Sequence, residues 1–172
     1  QLAQFSSLEQ LGNVNENLSD LKNFQASLNN SQAVSLIGKS VTADGNSLEL
    51  SDRGPTQCNF KLDDDAAKVA VSIYDHTGNY IAEIRRENLE AGQHALPWDG
   101  TDLKGRRVAA GEYSFEVLAD DAQDKPVRTT TLFNGIVNRV VFENNASYLI
   151  SGNQKIALED VIEVAASDEA QA

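Results

Sequence analysis

The run Ala91-Gly92-Gln93-His94-Ala95-Leu96-Pro97-Trp98-Asp99-Gly100-Thr101-Asp102-Leu103-Lys104-Gly105, followed by Val108-Ala109-Ala110-Gly111-Glu112-Tyr113-Ser114-Phe115, decides the fold. Read locally it is a long hairpin. Trp98 plugs a core, Asp99-Gly100 turns the chain, Gly105 closes the loop and Gly111 starts the next strand. Working outward, short strand candidates bounded by Gly, Asn and Asp fall at 57–62, 69–74, 80–85, 92–97, 111–118 and 127–132. Val69-Ala70-Val71-Ser72-Ile73 alternates apolar with small or polar residues, so one face points inward. Six or seven such strands with frequent turns predict a β-sandwich of immunoglobulin type. A single cysteine removes the Cys…Trp…Cys marker of antibody domains, which leaves a fibronectin-like sandwich.

The flanks have other periods. Leu2, Phe5, Leu8, Leu11, Val14, Leu18, Leu21, Phe24 and Leu28 recur at steps of three and four, a helical stripe unbroken by proline. A lone helix cannot bury such a stripe on itself. It packs either on the rest of the chain or between copies, and the second reading assigns self-association to Phe5, Leu8, Leu11, Val14, Leu18 and Leu21. Beyond the helix, 36–42 and 47–50 flank Asp44-Gly45-Asn46, a hairpin turn signal. Four more strands are expected at 136–142, 148–150, 155–158 and 161–164. They are too closely spaced to join the sandwich, and an open four-strand sheet would leave raw edges. Strand economy therefore predicts a small barrel completed by 36–50, with the sandwich inserted into it. The expected domains are a helix over 1–35, a discontinuous barrel over 36–56 plus 133–164, a sandwich over 57–132 and a tail over 165–172.

Composition removes several function classes. The chain has 172 residues, a formal charge of −12, and 41% apolar and 23% charged residues, which suits an ordinary globular protein of one or two domains. A pI near 4.5 speaks against a phosphate-backbone binder, so no nucleic acid is expected. No apolar run approaches the roughly 18 residues of a membrane span, and no membrane partner is expected. Cys58 alone excludes an intramolecular disulfide framework and a Cys-clustered zinc site. The sequence has no methionine, even at position 1, and reads as starting partway into its gene product.

No catalytic constellation emerges. His76 lies in a turn and His94 at the start of a strand, neither with a Ser or Cys nucleophile in a recognisable context. Cys58 alternates with Phe60 as a small core residue would. Asp63-Asp64-Asp65 and Asp120-Asp121 with Asp124 lack the alternate spacing of a calcium loop. Asp99 and Asp102 come closer, but Asp side chains capping their own backbone explain them without metal. Arg85-Arg86 and Arg106-Arg107 read as surface pairs, and the Asn-x-Ser triplets at Asn17, Asn29 and Asn145 as chance matches. No catalytic residue, metal ligand or cofactor is assigned.

The opening stretch also resembles the Ig-like domain of bacterial flagellar hook-capping proteins, the basal-body rod modification family. Three further segments are similar to that family: Gln4-Phe5-Ser6-Ser7-Leu8-Glu9-Gln10 to the helix before its folded part, Leu36-Ile37-Gly38-Lys39-Ser40-Val41 to the first strand of its Tudor-like barrel, and Ile136-Val137-Asn138-Arg139-Val140 with Leu158-Glu159-Asp160-Val161-Ile162-Glu163-Val164 to the barrel's return. The resemblance implies an Ig- and fibronectin III-like sandwich inserted into a Tudor-like barrel behind one long helix. It implies a non-enzymatic scaffold exported through the flagellar type III apparatus, standing at the distal end of the growing hook and guiding polymerisation of hook subunits. The implied partners are further copies in a pentameric ring, hook subunits and a hook-length control protein. The implied N-terminal segment, bearing the export signal and contacting the hook, has no counterpart here. A reading from another class is a secreted surface adhesion or carbohydrate-binding module, since Ig-like sandwiches host many roles. Aromatic residues at 6% are thin for a sugar platform.

Overall fold

The computed structural model describes residues 1–52 and 54–166. The chain forms two compact units, Gln1–Ser40 with Ile136–Glu159 and Val41–Gly135 with Asp160–Ala165. In chain order the larger unit lies between the two segments of the smaller one. Residues 167–172 of the expected tail lie outside the described residues.

The larger unit opens with β1 (Ser40–Asp44), β2 (Ser47–Leu50), β3 (Thr56–Leu62), β4 (Ala66–Asp75) and β5 (Tyr80–Leu89). It continues through β6 (Gly92–Trp98), β7 (Gly111–Asp120) and β8 (Thr129–Ile136), and the last strand of the chain, β12 (Val161–Ala165), returns to it. A four-stranded sheet of order β2-β7-β4-β5 faces a five-stranded sheet of order β12-β1-β8-β3-β6. Alternation builds the core between them. Val69, Val71 and Ile73 of β4 are buried with Phe115, Val117 and Ala119 of β7, against Cys58, Phe60 and Leu62 of β3. Each large apolar side chain buried this way stabilises the fold by about 1.5–3 kcal/mol.

Two local readings give way to the tertiary arrangement. The opening stretch is no hairpin: β6 pairs with β3, whereas β7 pairs with β2 and β4 in the other sheet. Between them the chain crosses from sheet to sheet, with only a bridge at Thr101 and Arg107. Trp98 ends β6 and meets the edge of Tyr113 on β7, rings 4.9 Å apart at 72°. The Trp98 indole N–H donates to the Thr101 carbonyl at 3.0 Å, and the Tyr113 hydroxyl donates to the Ala109 carbonyl at 2.7 Å. That last bond, from the start of a strand to backbone four residues upstream, is the tyrosine corner of Greek-key sandwiches.

Likewise Asp44-Gly45-Asn46 does not close a hairpin. β1 lies beside β8 in one sheet and β2 beside β7 in the other, so β2 belongs to the sandwich. Gly45 makes the crossing beside β8, where its N–H donates to the Thr131 carbonyl and an added Cβ would stand 3.2 Å from that of Phe133.

In the smaller unit, α1 (Leu2–Val34) precedes β9 (Arg139–Glu143), β10 (Ala146–Ser151) and β11 (Gln154–Ala157), an antiparallel sheet of order β11-β10-β9. Ala33, Val137, Leu149, Ile150 and Ile156 are its buried apolar residues. No sheet closes on itself among the described residues. The raw edges that suggested closure belong instead to open sheets, because β12 and β1 pair within the five-stranded sheet and are not free to complete a barrel.

Gly100 turns the crossover at φ +78, with Leu50 methyls 2.8 and 2.9 Å from where a Cβ would stand, whereas Gly105, at φ +74, has open space there. Both substitutions carry the cost of a left-handed backbone, about 1 kcal/mol. Gly100→Ala is expected to destabilise by a further ~1–2 kcal/mol through overpacking against a buried leucine. Urea midpoints should fall in the order wild type, Gly105→Ala, Gly100→Ala; equal losses at the two glycines would refute the packing account.

Candidate functional site

The residues nominated from sequence occupy two settings, an exposed helix and a set of turns. On α1 the apolar stripe is uncovered from end to end: Phe5 is 73% exposed, Leu8 64%, Leu11 59%, Val14 and Leu18 51%, and Leu21 60%. The helix reaches its own unit only near its C-terminal end, against β9 and β10. Ala33 is buried and Ala26 and Asn30 half-buried, and the Ser147 hydroxyl donates to the Asn30 side-chain oxygen at 2.9 Å. Steps of four and three place these three on one side of the helix. None of the nine stripe residues is buried against the helix's own unit; each is exposed. The short side chains Ala26 and Ala33, which the stripe omits, make the contact because they let the helix lie close.

The acidic clusters resolve into turns. Asp75, Asp102 and Asp121 build the same device three times. In each, one carboxylate oxygen accepts the backbone N–H groups two and four residues ahead: Thr77 and Asn79 at 2.9 Å, Lys104 and Arg106 at 2.9 Å, Gln123 and Lys125 at 2.8 and 2.9 Å. The fourth residue takes positive φ in every case, as Gly78 (φ 85), Gly105 (φ 74) and Asp124 (φ 57). It donates back to the first carbonyl at 2.9, 2.9 and 3.1 Å. This is the three-residue turn ending in a left-handed residue, and the aspartate satisfies backbone donors the turn would otherwise expose to water alone. The shared spacing was visible in sequence, but Asp124 in place of glycine disguised the third copy as an acidic patch.

Electrostatics follow from those bonds. Hydrogen bonds from the Thr77 hydroxyl and the Asn79 amide hold the Asp75 carboxyl well below the usual carboxylate range. The Arg106 backbone N–H and guanidinium lower that of Asp102, and the Thr101 hydroxyl lowers that of Asp99. Thr101 N–H and hydroxyl donate to Asp99 at 3.0 and 2.6 Å, the side-chain cap expected there. Asp124 pairs with Lys68 at 2.7 Å across exposed surface, an ion pair worth little.

The other candidates are structural. Cys58 is fully buried, and burial pushes its thiol up to about 12, which makes it a poor nucleophile. His94 stacks its ring 5.6 Å from Phe60 and approaches the Glu90 carbonyl at 2.7 Å. His76 is an exposed residue of the Asp75 turn. Asp65 accepts the Ala91 N–H at 2.8 Å. Arg107 donates to the Asp99 and Ser51 carbonyls, tying the crossover down, and Arg85 pairs with Glu83. Among the described residues no group of three His, Cys, Asp or Glu side chains is placed to hold a metal ion. No helix there is long and apolar enough to cross a membrane.

The fold is thus an Ig-like sandwich inserted in the chain between the segments of a smaller, helix-bearing unit. The FlgD Ig-like domain family matches residues 45–132, half of the chain, so the chain belongs to the FlgD family. Its start at 45 agrees with β2 being a strand of the sandwich. The chain is 26% identical over 153 residues to the basal-body rod modification protein FlgD of Buchnera aphidicola subsp. Acyrthosiphon pisum, and 27% over 160 residues to that of Salmonella typhimurium. Both alignments cover 88% of this chain, but 64% and 68% of those relatives, so the chain spans about two thirds of their length. Its fold is similar to FlgD from Xanthomonas campestris (TM-score 0.67, 23% identity, 78% of this chain and 97% of that one). It is also similar to FlgD from P. aeruginosa (TM-score 0.64, 24% identity, 76% and 98%). The Xanthomonas structure is described as bearing on hook capping essential for flagellar assembly.

The lowered aspartates stabilise the folded state fully above their unfolded value near 3.9, and that stabilisation is lost as pH falls through their folded values. Thermal unfolding of the wild type should therefore drop between pH 5 and pH 2. Asp75→Asn with Asp102→Asn should flatten that drop while keeping the turns, because Asn still accepts backbone N–H groups. An unchanged pH slope would show that these carboxylates do not govern acid stability.

Proposed function

We propose that the protein is a non-enzymatic assembly scaffold that caps the growing flagellar hook and guides polymerisation of hook subunits. What carries the proposal is the match of residues 45–132 to the FlgD Ig-like domain. Support comes from the Xanthomonas relative, whose description concerns hook capping. In this reading several copies form a ring, pentameric in the resembled family, at the distal end of the hook. The protein arrives there through the flagellar type III apparatus, and hook subunits and a hook-length control protein are its partners. The smaller unit would correspond to the family's Tudor-like element.

Self-association is assigned to the α1 stripe, through Phe5, Leu8, Leu11, Val14, Leu18 and Leu21. These side chains are 51–73% exposed, so burying the remainder yields about 1–2 kcal/mol each, not the full transfer value. Six such gains support a reversible contact, which suits a cap that must shift as each subunit enters.

Leu11→Asp with Leu18→Asp is expected to lower the oligomer mass in light scattering while leaving the β-rich circular dichroism intact; an unaltered mass would sink the assignment. For the cap itself, the full-length protein should retain hook subunit in a pull-down and show no binding to a glycan panel. Glycan binding without hook-subunit capture would favour the adhesion-module reading instead.

A further inference from the structure

Strand β5 is a free edge of the four-stranded sheet, whose order is β2-β7-β4-β5. At 10 residues it is longer than β2, β12 and β6, the strands that form the other edges of the sandwich. Alternation across the sheet fixes where its backbone groups point. The Val117 carbonyl accepts the Thr129 hydroxyl and the Ala119 carbonyl accepts the Val127 N–H, so the odd-numbered residues of β7 turn away from β4. The even-numbered ones therefore bond Lys68, Ala70 and Ser72 of β4. That leaves Val69, Val71 and Ile73 to bond Arg86, Ile84 and Ala82 of β5. Glu83, Arg85 and Glu87 thus point their N–H and C=O groups out of the sheet edge. Just before this row the Ile81 carbonyl accepts the Leu103 N–H at 3.1 Å, which marks where the open edge begins.

Beside that edge lies a cleft of about 620 Å³, bordered by β5 and by β6, the edge of the facing sheet. Buried Ala82 and Trp98 line it, with half-buried Ile84 and with Pro97 and Leu103. Its charges are unusual for this chain. Arg85 and Arg86 line the cleft, Arg106 binds Asp102 and Arg107 binds the Asp99 carbonyl, so four of the 14 Lys and Arg gather at one place on a protein of formal charge −12. The carboxylates there are already engaged: Glu83 with Arg85, Asp102 with Arg106, and Asp99 with Thr101. Among the described residues Arg86 pairs with no carboxylate. Its guanidinium donates instead to the Arg85 carbonyl at 2.8 Å and so covers one acceptor of the edge.

We propose that this edge binds an extended segment of a partner protein, which adds as a further strand beside β5 and sets a carboxylate side chain against Arg86. An extended backbone supplies donors and acceptors at the spacing of Glu83, Arg85 and Glu87. Its side chains alternate, so every second one enters the cleft beside Ala82, Ile84 and Trp98 and extends the apolar core. The others join the outer face with Glu83 and Arg85. Charge selects among such segments: the four arginines against Glu83, Asp99 and Asp102 leave the cleft locally positive, and screening over about 8 Å separates it from the acidic remainder. The Arg86 guanidinium moves from the Arg85 carbonyl to the incoming carboxylate, which frees that carbonyl for the incoming N–H. Before binding, the same guanidinium guards the edge against indiscriminate pairing. None of this rests on the flagellar role proposed above.

The peptide Thr-Val-Thr-Glu-Thr-Val-Thr tests this, because its pattern reads alike in both strand directions and puts its valines and glutamate on one face. At about 1 mM with the whole protein, it should slow hydrogen exchange of the Glu83, Arg85 and Glu87 amides at least threefold. The Ile84 and Arg86 amides, which already face β4, should change little. No binding, or binding that leaves those three amides unprotected, would overturn the proposal. Replacing the peptide's glutamate by lysine should weaken binding at least threefold, and Arg86→Glu should reverse that order; an order unmoved by Arg86→Glu would overturn the role given to Arg86. Arg85→Pro removes one edge N–H while sparing the bonds to β4, as edge strands tolerate. It should abolish peptide binding with the circular dichroism unchanged, and retained binding would overturn strand addition. If Arg85→Pro does not fold, the exchange pattern of the wild type decides.

Discussion

The larger unit depends on the contact between Trp98 and Tyr113. Residues 99–110 must carry the chain from one sheet to the other, and a crossover of that length has many conformations to lose. Each end is held by an aromatic ring in the core whose polar atom bonds backbone inside the loop, Trp98 to Thr101 and Tyr113 to Ala109. The rings meet edge to face, so one packing event sets the spacing of the sheets and the path of the loop together. Arg107 fastens the outside of the same loop to Asp99 and Ser51. With that crossover set, β6 can pair only with β3 and β7 only with β2 and β4.

The three aspartate turns serve a second constraint, exposed backbone at the tips of a small sandwich. One carboxylate closing two N–H groups makes a turn whose shape needs no core contact. That independence explains why such turns recur at Asp75, Asp102 and Asp121 with different neighbours. The smaller unit uses a different economy. Its sheet has three strands, and α1 covers it only through Ala26, Asn30 and Ala33. The rest of the helix carries its apolar stripe exposed.

Much of this was legible from residue order. The alternation of Val69 to Ile73, the glycines and asparagines between strands and the unbroken stripe of α1 are local signals, and the elements appeared where those signals lay. Pairing was less legible. Asp44-Gly45-Asn46 and the Trp98 to Gly111 stretch carry turn chemistry, but a turn signal says only that the chain changes direction. Whether it returns to the same sheet depends on residues far away, here Phe133, Phe60 and Phe115.

By itself, the sequence determined the strands, the helix and, through the residues around Trp98, the family. These follow from local spacing and backbone preference, which need no distant partner. Tertiary structure alone decided that β2 belongs to the sandwich, that the sheets stay open, and that the chain crosses between sheets at Gly45 and Gly100. Those outcomes depend on which apolar faces meet across the core, and burial is a property of the assembled fold, not of any one segment.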